Sequence, residues 1–223
     1  MPFHVILESA TRFQKGVNDN LMDIFELLNA QRDIICLNYV SRAFMDAIVC
    51  PLLHEGYGYV YVECGNSGIC TAWRKSVFEA TNCHTFSPQY ADEPFWNRVL
   101  SFFTKKSQTP PKVSFVRLHQ INTSREIWVI HCGNVDSNGS QSFITNPHFF
   151  NILVGRIVDQ VPCILAGTFG NNTHTDLTFS GWVDACRKQS VDTSDTPTIM
   201  CRGGLIQIQE TKGGYNSVLA QFY

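Results

Sequence analysis

The sequence predicts two packed β-sheets with helices on their outer faces. Strand patterns outnumber helical ones. They run in the order strand, helix, strand, helix, hairpin, hairpin, helix, strand, hairpin. A simple parallel sheet would need a helix after every strand, and a pure β-sandwich would have no long helical patterns. The mixture fits neither. At 223 residues the chain can bury a substantial core, and a single domain spanning 1–223 is the simplest division.

Phe3 to Leu7 is a short apolar strand, with Glu8-Ser9-Ala10 at its exit. Asn18 to Ala30 reads as a helix, because Leu21, Ile24, Phe25 and Leu28 recur at helical spacing behind a capping Asn. Asp33 to Leu37 is a continuous apolar run of the kind buried on both faces. Asn38-Tyr39-Val40 ends it, and Ser41 opens a helix to about Val49. From Gly56 to Glu63 the chain alternates with period two. Cys64 to Gly68 turns it, and Ile69 to Arg74 runs back as the second half of a hairpin.

The stretch from Thr81 to Pro111 reads as irregular. It holds four prolines, a short helical pattern from Pro94 to Phe103, the aromatics Phe95, Trp96, Phe102 and Phe103, and Lys105 and Lys106. It is expected to be an aromatic and basic insertion at about 81–112. Val113 to Leu118 and Glu126 to Cys132 are strands around the turn Asn122-Thr123-Ser124. Pro147 to Gln160 is a helix with Pro147 in its first turn. Val161 to Ala166 is a buried strand, stopped by Gly167, and a tip Gly167-Thr168-Phe169-Gly170-Asn171-Asn172 follows. Thr198 to Gln209 and Ser217 to Phe222 close the chain as strands.

Composition narrows the setting. A formal charge of −2 supplies no global attraction to nucleic acid or anionic membrane. No apolar run approaches the ~20 residues of a membrane span. The segment from Met1 to Val5 carries no basic region before a long apolar core, so no signal peptide is expected. Nine cysteines at irregular spacing, odd in number, argue against a disulfide framework. Cys36, Cys132 and Cys163 fall inside apolar strands, where a thiol behaves as a small buried hydrophobe. An intracellular, reducing compartment, cytoplasm or nucleus, is the expectation. The Asn-x-Ser/Thr triplets at Asn122, Asn138 and Asn171 then read as chance.

Six strings, in order along the chain, resemble the endonuclease/exonuclease/phosphatase (DNase I-like) family. Asp33-Ile-Ile-Cys-Leu-Asn-Tyr-Val40 is similar to the family's second strand, which usually ends Leu-Gln-Glu-Val. Ser67-Gly68, Ala72-Trp-Arg-Lys75 and Phe78 resemble its glycine-rich hairpin and following basic segment. Val129-Ile-His131 resembles the strand ending Thr-His-Leu. Val161 to Gly167 resembles the strand before Gly-Asp-Phe-Asn. Gly181-Trp-Val-Asp-Ala185 and Val218-Leu-Ala-Gln-Phe222 resemble the strings after it and the last strand. The resemblance implies a four-layer α/β sandwich, two mixed sheets flanked by helices, that hosts metal-dependent phosphodiesterases.

The resemblance also says what is replaced. The Asn ending the family's first strand falls on Ser9 or Ala10. The metal-binding Glu of the second falls on Tyr39. The Asp and Asn of Gly-Asp-Phe-Asn fall on Thr168 and Gly170, the Asp of the penultimate strand on Gly204, and the closing Ser-Asp-His on Gly213-Gly214-Tyr215. Of the usual set, His131 is kept. Such cleavage needs carboxylates on a hard cation and a His activated by an Asp. A neutral Thr or Gly supplies neither, so the expectation is a catalytically inactive protein with no cofactor, acting by binding a protein partner.

Two alternatives stand beside it. One is a nucleic-acid or nucleotide binder using the vestigial groove, with Tyr39 and Tyr215 stacking a base and Asn171 and Asn172 near an anion. The other is a Mg²⁺- or Mn²⁺-dependent phosphodiesterase, or a transition-metal site, rewired around His131, His174 and Asp176. Binding candidates are thus Tyr39, His131, Asn171, Asn172, Tyr215, Phe95 and Trp96. Asp184 reads as a cap or turn partner. Cys64, Cys70, Cys83 and His84 lack a zinc spacing, and Cys132 with His148 lacks a nucleophile motif.

Overall fold

The computed structural model describes residues 2–9, 32–54, 56–64, 67–86, 112–133, 161–169, 181–184, 196–203, 209–210 and 216–220. The strands are β1 (Phe3–Ser9), β2 (Ile34–Val40), β3 (Tyr57–Cys64), β4 (Ser67–Arg74), β5 (Phe78–Phe86), β6 (Lys112–Gln120), β7 (Arg125–Gly133), β8 (Cys163–Phe169), β9 (Val183–Asp184), β10 (Thr196–Arg202), β11 (Gln209–Glu210) and β12 (Asn216–Ala220). They form two six-stranded sheets, ordered β11-β12-β1-β2-β4-β3 and β5-β6-β7-β8-β10-β9. Both sheets are mixed. β1 lies parallel to β2 and β7 parallel to β8, and the other pairs are antiparallel.

Period-two alternation assigns each strand residue to a face. Val5 and Leu7, Ile34 and Cys36, Val116 and Leu118, Ile127 and Val129, and Ile164 and Ala166 point between the sheets and fuse into one core. The intervening residues Ile6, Ile35, Leu37, Cys70 and Ala72 point to the other face of the first sheet, where Met45, Val49 and Leu53 cover them. A β-strand apolar on both faces needs cover on both, which is why β2 reads as a continuous apolar run. Cys36, Cys132 and Cys163 are buried as expected. These three, with Cys50, Cys70, Cys83 and Cys201, are free thiols.

The covering helix is composite: α1 (Arg42–Phe44), a π-helical turn (Met45–Val49) and α2 (Cys50–Leu53). Ser41 caps it, its Oγ accepting from the Phe44 N–H at 3.2 Å. It runs past the expected end at Val49. The reason lies at Pro51, whose ring would meet the carbonyl four residues back in a continuous α ladder. The turn just before it is widened, with the Cys50 N–H bonded to the Met45 carbonyl, and the helix continues through the proline.

Four other expectations are corrected. Thr81 to Phe86, read as the start of an irregular insertion, belongs to β5 and pairs with β6, and Lys112 opens β6. The apolar alternation that marks a strand is missing there because Thr81 to Thr85 are all exposed, on both faces. Gly167 does not stop β8. It pairs with Cys132 on one side and Thr198 on the other, and Thr168 and Phe169 continue the ladder. Thr198 to Gln209 is not one strand. β10 ends at Arg202, Gly203 turns the chain with φ 92°, and Gln209 lies in the other sheet. A Cβ on Gly203 would stand 3.2 Å from the Pro162 Cα, so both its φ and its surroundings require glycine. Asp184 pairs with Met200 in β9, where a cap or turn was expected. The helical patterns at 18–30, 94–103 and 147–160 lie outside the described residues. Among the described residues no helix is long and apolar enough to cross a membrane.

Candidate functional site

The carboxyl ends of β1, β2, β7 and β8 converge at one end of the sandwich. Register brings them together: Ser9 pairs with Asn38, and His131 pairs with Ala166, two residues before Thr168. A hydrogen bond from His131 to Asn38 joins the two sheets there.

His131 lies between the sheets and is fully buried. Its Nδ1 is 3.0 Å from the Thr71 Oγ1, which is 2.8 Å from the Ser114 Oγ. Its Nε2 is 2.9 Å from the Asn38 Oδ1. With that amide oxygen facing the ring, one proton arrangement uses every group. Ser114 O–H donates to Thr71, Thr71 O–H donates to Nδ1, and Nε2–H donates to Asn38. The imidazole is then neutral, and burial pulls its pKa down to about 3. Alternation explains the meeting: Asn38, Thr71, Ser114 and His131 all occupy inward positions of β2, β4, β6 and β7.

Tyr39 follows Asn38 at a β-bulge. Asn38 pairs with Ile69 and Val40 with Gly68, so Tyr39 is the extra residue. Its backbone is left-handed, φ 60°, a conformation that costs a side-chain-bearing residue about 1–2 kcal/mol. The next carbonyl, Val40, accepts from the Tyr61 hydroxyl at 2.9 Å. Burial and the nearby Glu63 carboxylate push that phenol up to about 12, so it donates as a neutral group. The Tyr61 ring packs so closely over Gly68 that a Cβ there would be 2.5 Å away. Tyr39 itself is half-buried.

The structure thus brings together Ser9, Tyr39, His131 and Thr168, in backbone position for Ser9 and Thr168. Gly170, Asn171, Asn172, His174, Asp176, Gly204, Gly214, Tyr215, Phe95 and Trp96 lie outside the described residues. Sequence reasoning missed Thr71 and Ser114 as partners of His131, and passed over Asn38 as the end of a strand. The available signal was a polar residue at the inward parity of an otherwise apolar strand.

A hard divalent cation takes carboxylate and water oxygens. The side chains bonded to His131 and to one another are an amide and two hydroxyls, with no carboxylate among them, and both imidazole nitrogens are engaged, so this cluster does not itself offer such an ion its ligands. Among the described residues no three His, Cys, Asp or Glu side chains group as metal ligands.

No family model matches the sequence, and no curated protein matches it. Solved structures do. The human Nocturnin catalytic domain, determined with a bound sulfate anion, superposes with a TM-score of 0.71 at 14% identity, over 98% of this chain and 92% of its own. An endonuclease/exonuclease/phosphatase from Bacteroides vulgatus gives 0.70 at 13% identity, over 99% and 98%. D. rerio TDP2 complexed with a single-strand DNA product gives 0.61 at 10% identity, over 98% of each chain. Identities this low speak for fold, and the match spans both partners from end to end: this chain has the endonuclease/exonuclease/phosphatase, DNase I-like, fold.

Proposed function

We propose that this chain is a non-catalytic protein on a phosphodiesterase scaffold, acting by binding, with a protein as its partner. The observation that carries the reading is the state of His131. A general base works when its pKa lies near the operating pH and its nitrogen reaches the proton it abstracts. His131 has a pKa of about 3, is buried, and spends both nitrogens on Thr71 and Asn38. It serves as a joint between sheets. The resemblance puts uncharged residues, Tyr39, Thr168 and Gly170, where carboxylates and an amide would stand. The aromatic stretch with Phe95, Trp96, Phe102 and Phe103 is the surface proposed for the partner. Free buried cysteines suit a reducing compartment.

Calorimetric titration of metal-free protein with Mg²⁺ and Mn²⁺, beside a phosphodiesterase assay on the same preparation, tests this. The expected result is no metal heat and no turnover. Turnover that disappears in His131→Gln or His174→Ala would overturn the reading in favour of a rewired enzyme.

One observation favours a second reading, a nucleic-acid or nucleotide binder. Tyr39 is half-exposed on a strained bulge at the end of the sandwich, and an accessible aromatic ring can stack a base. D. rerio TDP2, which shares the fold, holds a single-strand DNA product. Oligonucleotide affinity that falls with salt and drops in Tyr39→Asn would support it. No binding at low salt would remove it.

A further inference from the structure

At the amino end of β2 stands an arginine whose backbone is fixed and whose side-chain fork is idle. Arg32 lies just before the strand, ~20 Å along it from Asn38 and so at the end of the sandwich away from His131. Two donors clamp its carbonyl: the Tyr57 hydroxyl at 2.7 Å and the Arg74 Nη2 at 3.3 Å. The next residue, Asp33, is locked to β1. Its N–H donates to the His4 carbonyl at 3.0 Å, and its Oδ2 accepts from the His4 N–H at 2.8 Å. The Arg32 guanidinium gains nothing comparable. Its Nη1 lies 3.4 Å from the His4 Nδ1, and its Nε is buried with no acceptor. Nη1 is the nitrogen on the Cδ side, so Nε–H and Nη2–H make up the edge that grips an oxyanion by two parallel bonds. Among the described residues nothing accepts from that edge.

Charge is unbalanced there as well. Two guanidinium groups, those of Arg32 and Arg74, stand beside one carboxylate. Asp33 turns its Oδ1 to the Arg74 Nε at 3.7 Å and spends Oδ2 on β1. His4 supplies no negative charge: burial and then Arg32 hold its pKa low, and the ring is neutral. The Arg74 and Asp33 side chains are only 22% and 11% exposed, so water and salt screen the excess poorly. A water molecule could satisfy the orphaned N–H but not the charge. We propose that Arg32 and Arg74 form an anion site, in which Nε–H and Nη2–H of Arg32 hold two oxygens of a small phosphate-class ion. Phosphate is the class chosen because a carboxylate spends both its oxygens on the fork, whereas phosphate keeps others for Arg74. The clamped Arg32 carbonyl holds the fork's root in place before the ion arrives, which lowers the ordering cost of binding. This site is at the other end of the sheet from Tyr39, and it does not rest on the function proposed above.

Melting temperature should be followed against inorganic phosphate at fixed ionic strength, with chloride making up the balance. Phosphate should raise it, because an ion held by the folded chain alone stabilises that chain. Arg32→Gln should weaken the apparent affinity at least about tenfold. Arg42→Gln, just beyond the far end of β2, should bind as wild type does. In wild-type protein the His4 ring signals should move during a phosphate titration followed by NMR while those of His131 stay, a readout that needs no substitution. A melting temperature no higher in phosphate than in chloride overturns the inference. So does an affinity indifferent to Arg32→Gln, one lost equally in Arg42→Gln, or a titration that leaves His4 unmoved.

Discussion

His131 should make this protein acid-labile in a defined window. Its folded-state pKa is about 3, against an ordinary value of 6.5, because the ring is buried and neutral. As pH falls, the unfolded chain takes up the proton first. Stability therefore stays at its full value above 6.5 and is lost between 6.5 and 3. One titrating group contributes about 1.4 kcal/mol per pH unit across such a window. The loss reaches about 2 kcal/mol at pH 5 and approaches ~5 kcal/mol at pH 3, comparable with the whole stability of many domains. Other groups titrate in the same range, including His4, whose pKa burial and then Arg32 hold low. His131→Gln isolates the one of interest, because glutamine keeps a hydrogen-bonding side chain and does not titrate. Urea unfolding of both proteins should be followed from pH 7.5 to the most acid pH at which both still fold. The wild-type curve should fall relative to the variant below pH 6.5, with a slope near 1.4 kcal/mol per unit. Parallel curves would mean that the imidazole is not buried as described, and the joint between the sheets would have to be redrawn.

Further substitutions probe the same region. Thr71→Val keeps the shape but strands the His131 Nδ1 and the Ser114 hydroxyl in the core, and should cost roughly 2 kcal/mol or more in unfolding free energy. Gly68→Ala sets a methyl 2.5 Å from both the Tyr61 ring and the Val62 carbonyl oxygen. The ring can shift and the strand backbone cannot, so a loss of about 2–3 kcal/mol is expected by denaturant melt. At Tyr39, asparagine tolerates the left-handed backbone and a β-branched residue does not. Tyr39→Asn should therefore be at least about 1 kcal/mol more stable than Tyr39→Val, and equal stabilities would refute the strained bulge.

The two-sheet architecture was readable because most strands advertise themselves by parity. β2 and β8 are continuous apolar runs, and β3 alternates. Parity fails where burial fails. β5 from Thr81 to Thr85 carries Asn, Cys, His and Thr in no apolar order because all five residues are exposed, and it reads as loop. The pattern from Thr198 to Gln209 erred in the opposite direction. Its apolar residues keep strand-like spacing across Gly203, so only the left-handed turn, which a sequence does not display, reveals that the chain changes sheets.

The site was readable in position and not in chemistry. The family strings placed Tyr39, His131 and Thr168 near each other, and register puts their strand ends together. What His131 does there depends on Asn38, Thr71 and Ser114, which come from three other strands. No local pattern couples residues so far apart along the chain. Yet each sits at an inward position among apolar neighbours, and a buried polar group is costly unless paired. Three hydroxyl or amide residues and one imidazole, all turned inward at the same end of two facing sheets, satisfy one another. The same bonds that spare the core its desolvation cost also take the imidazole out of acid–base work at neutral pH. A histidine left free to accept a proton would need a partner carboxylate or access to water, and the packing of β2, β4, β6 and β7 around His131 provides neither.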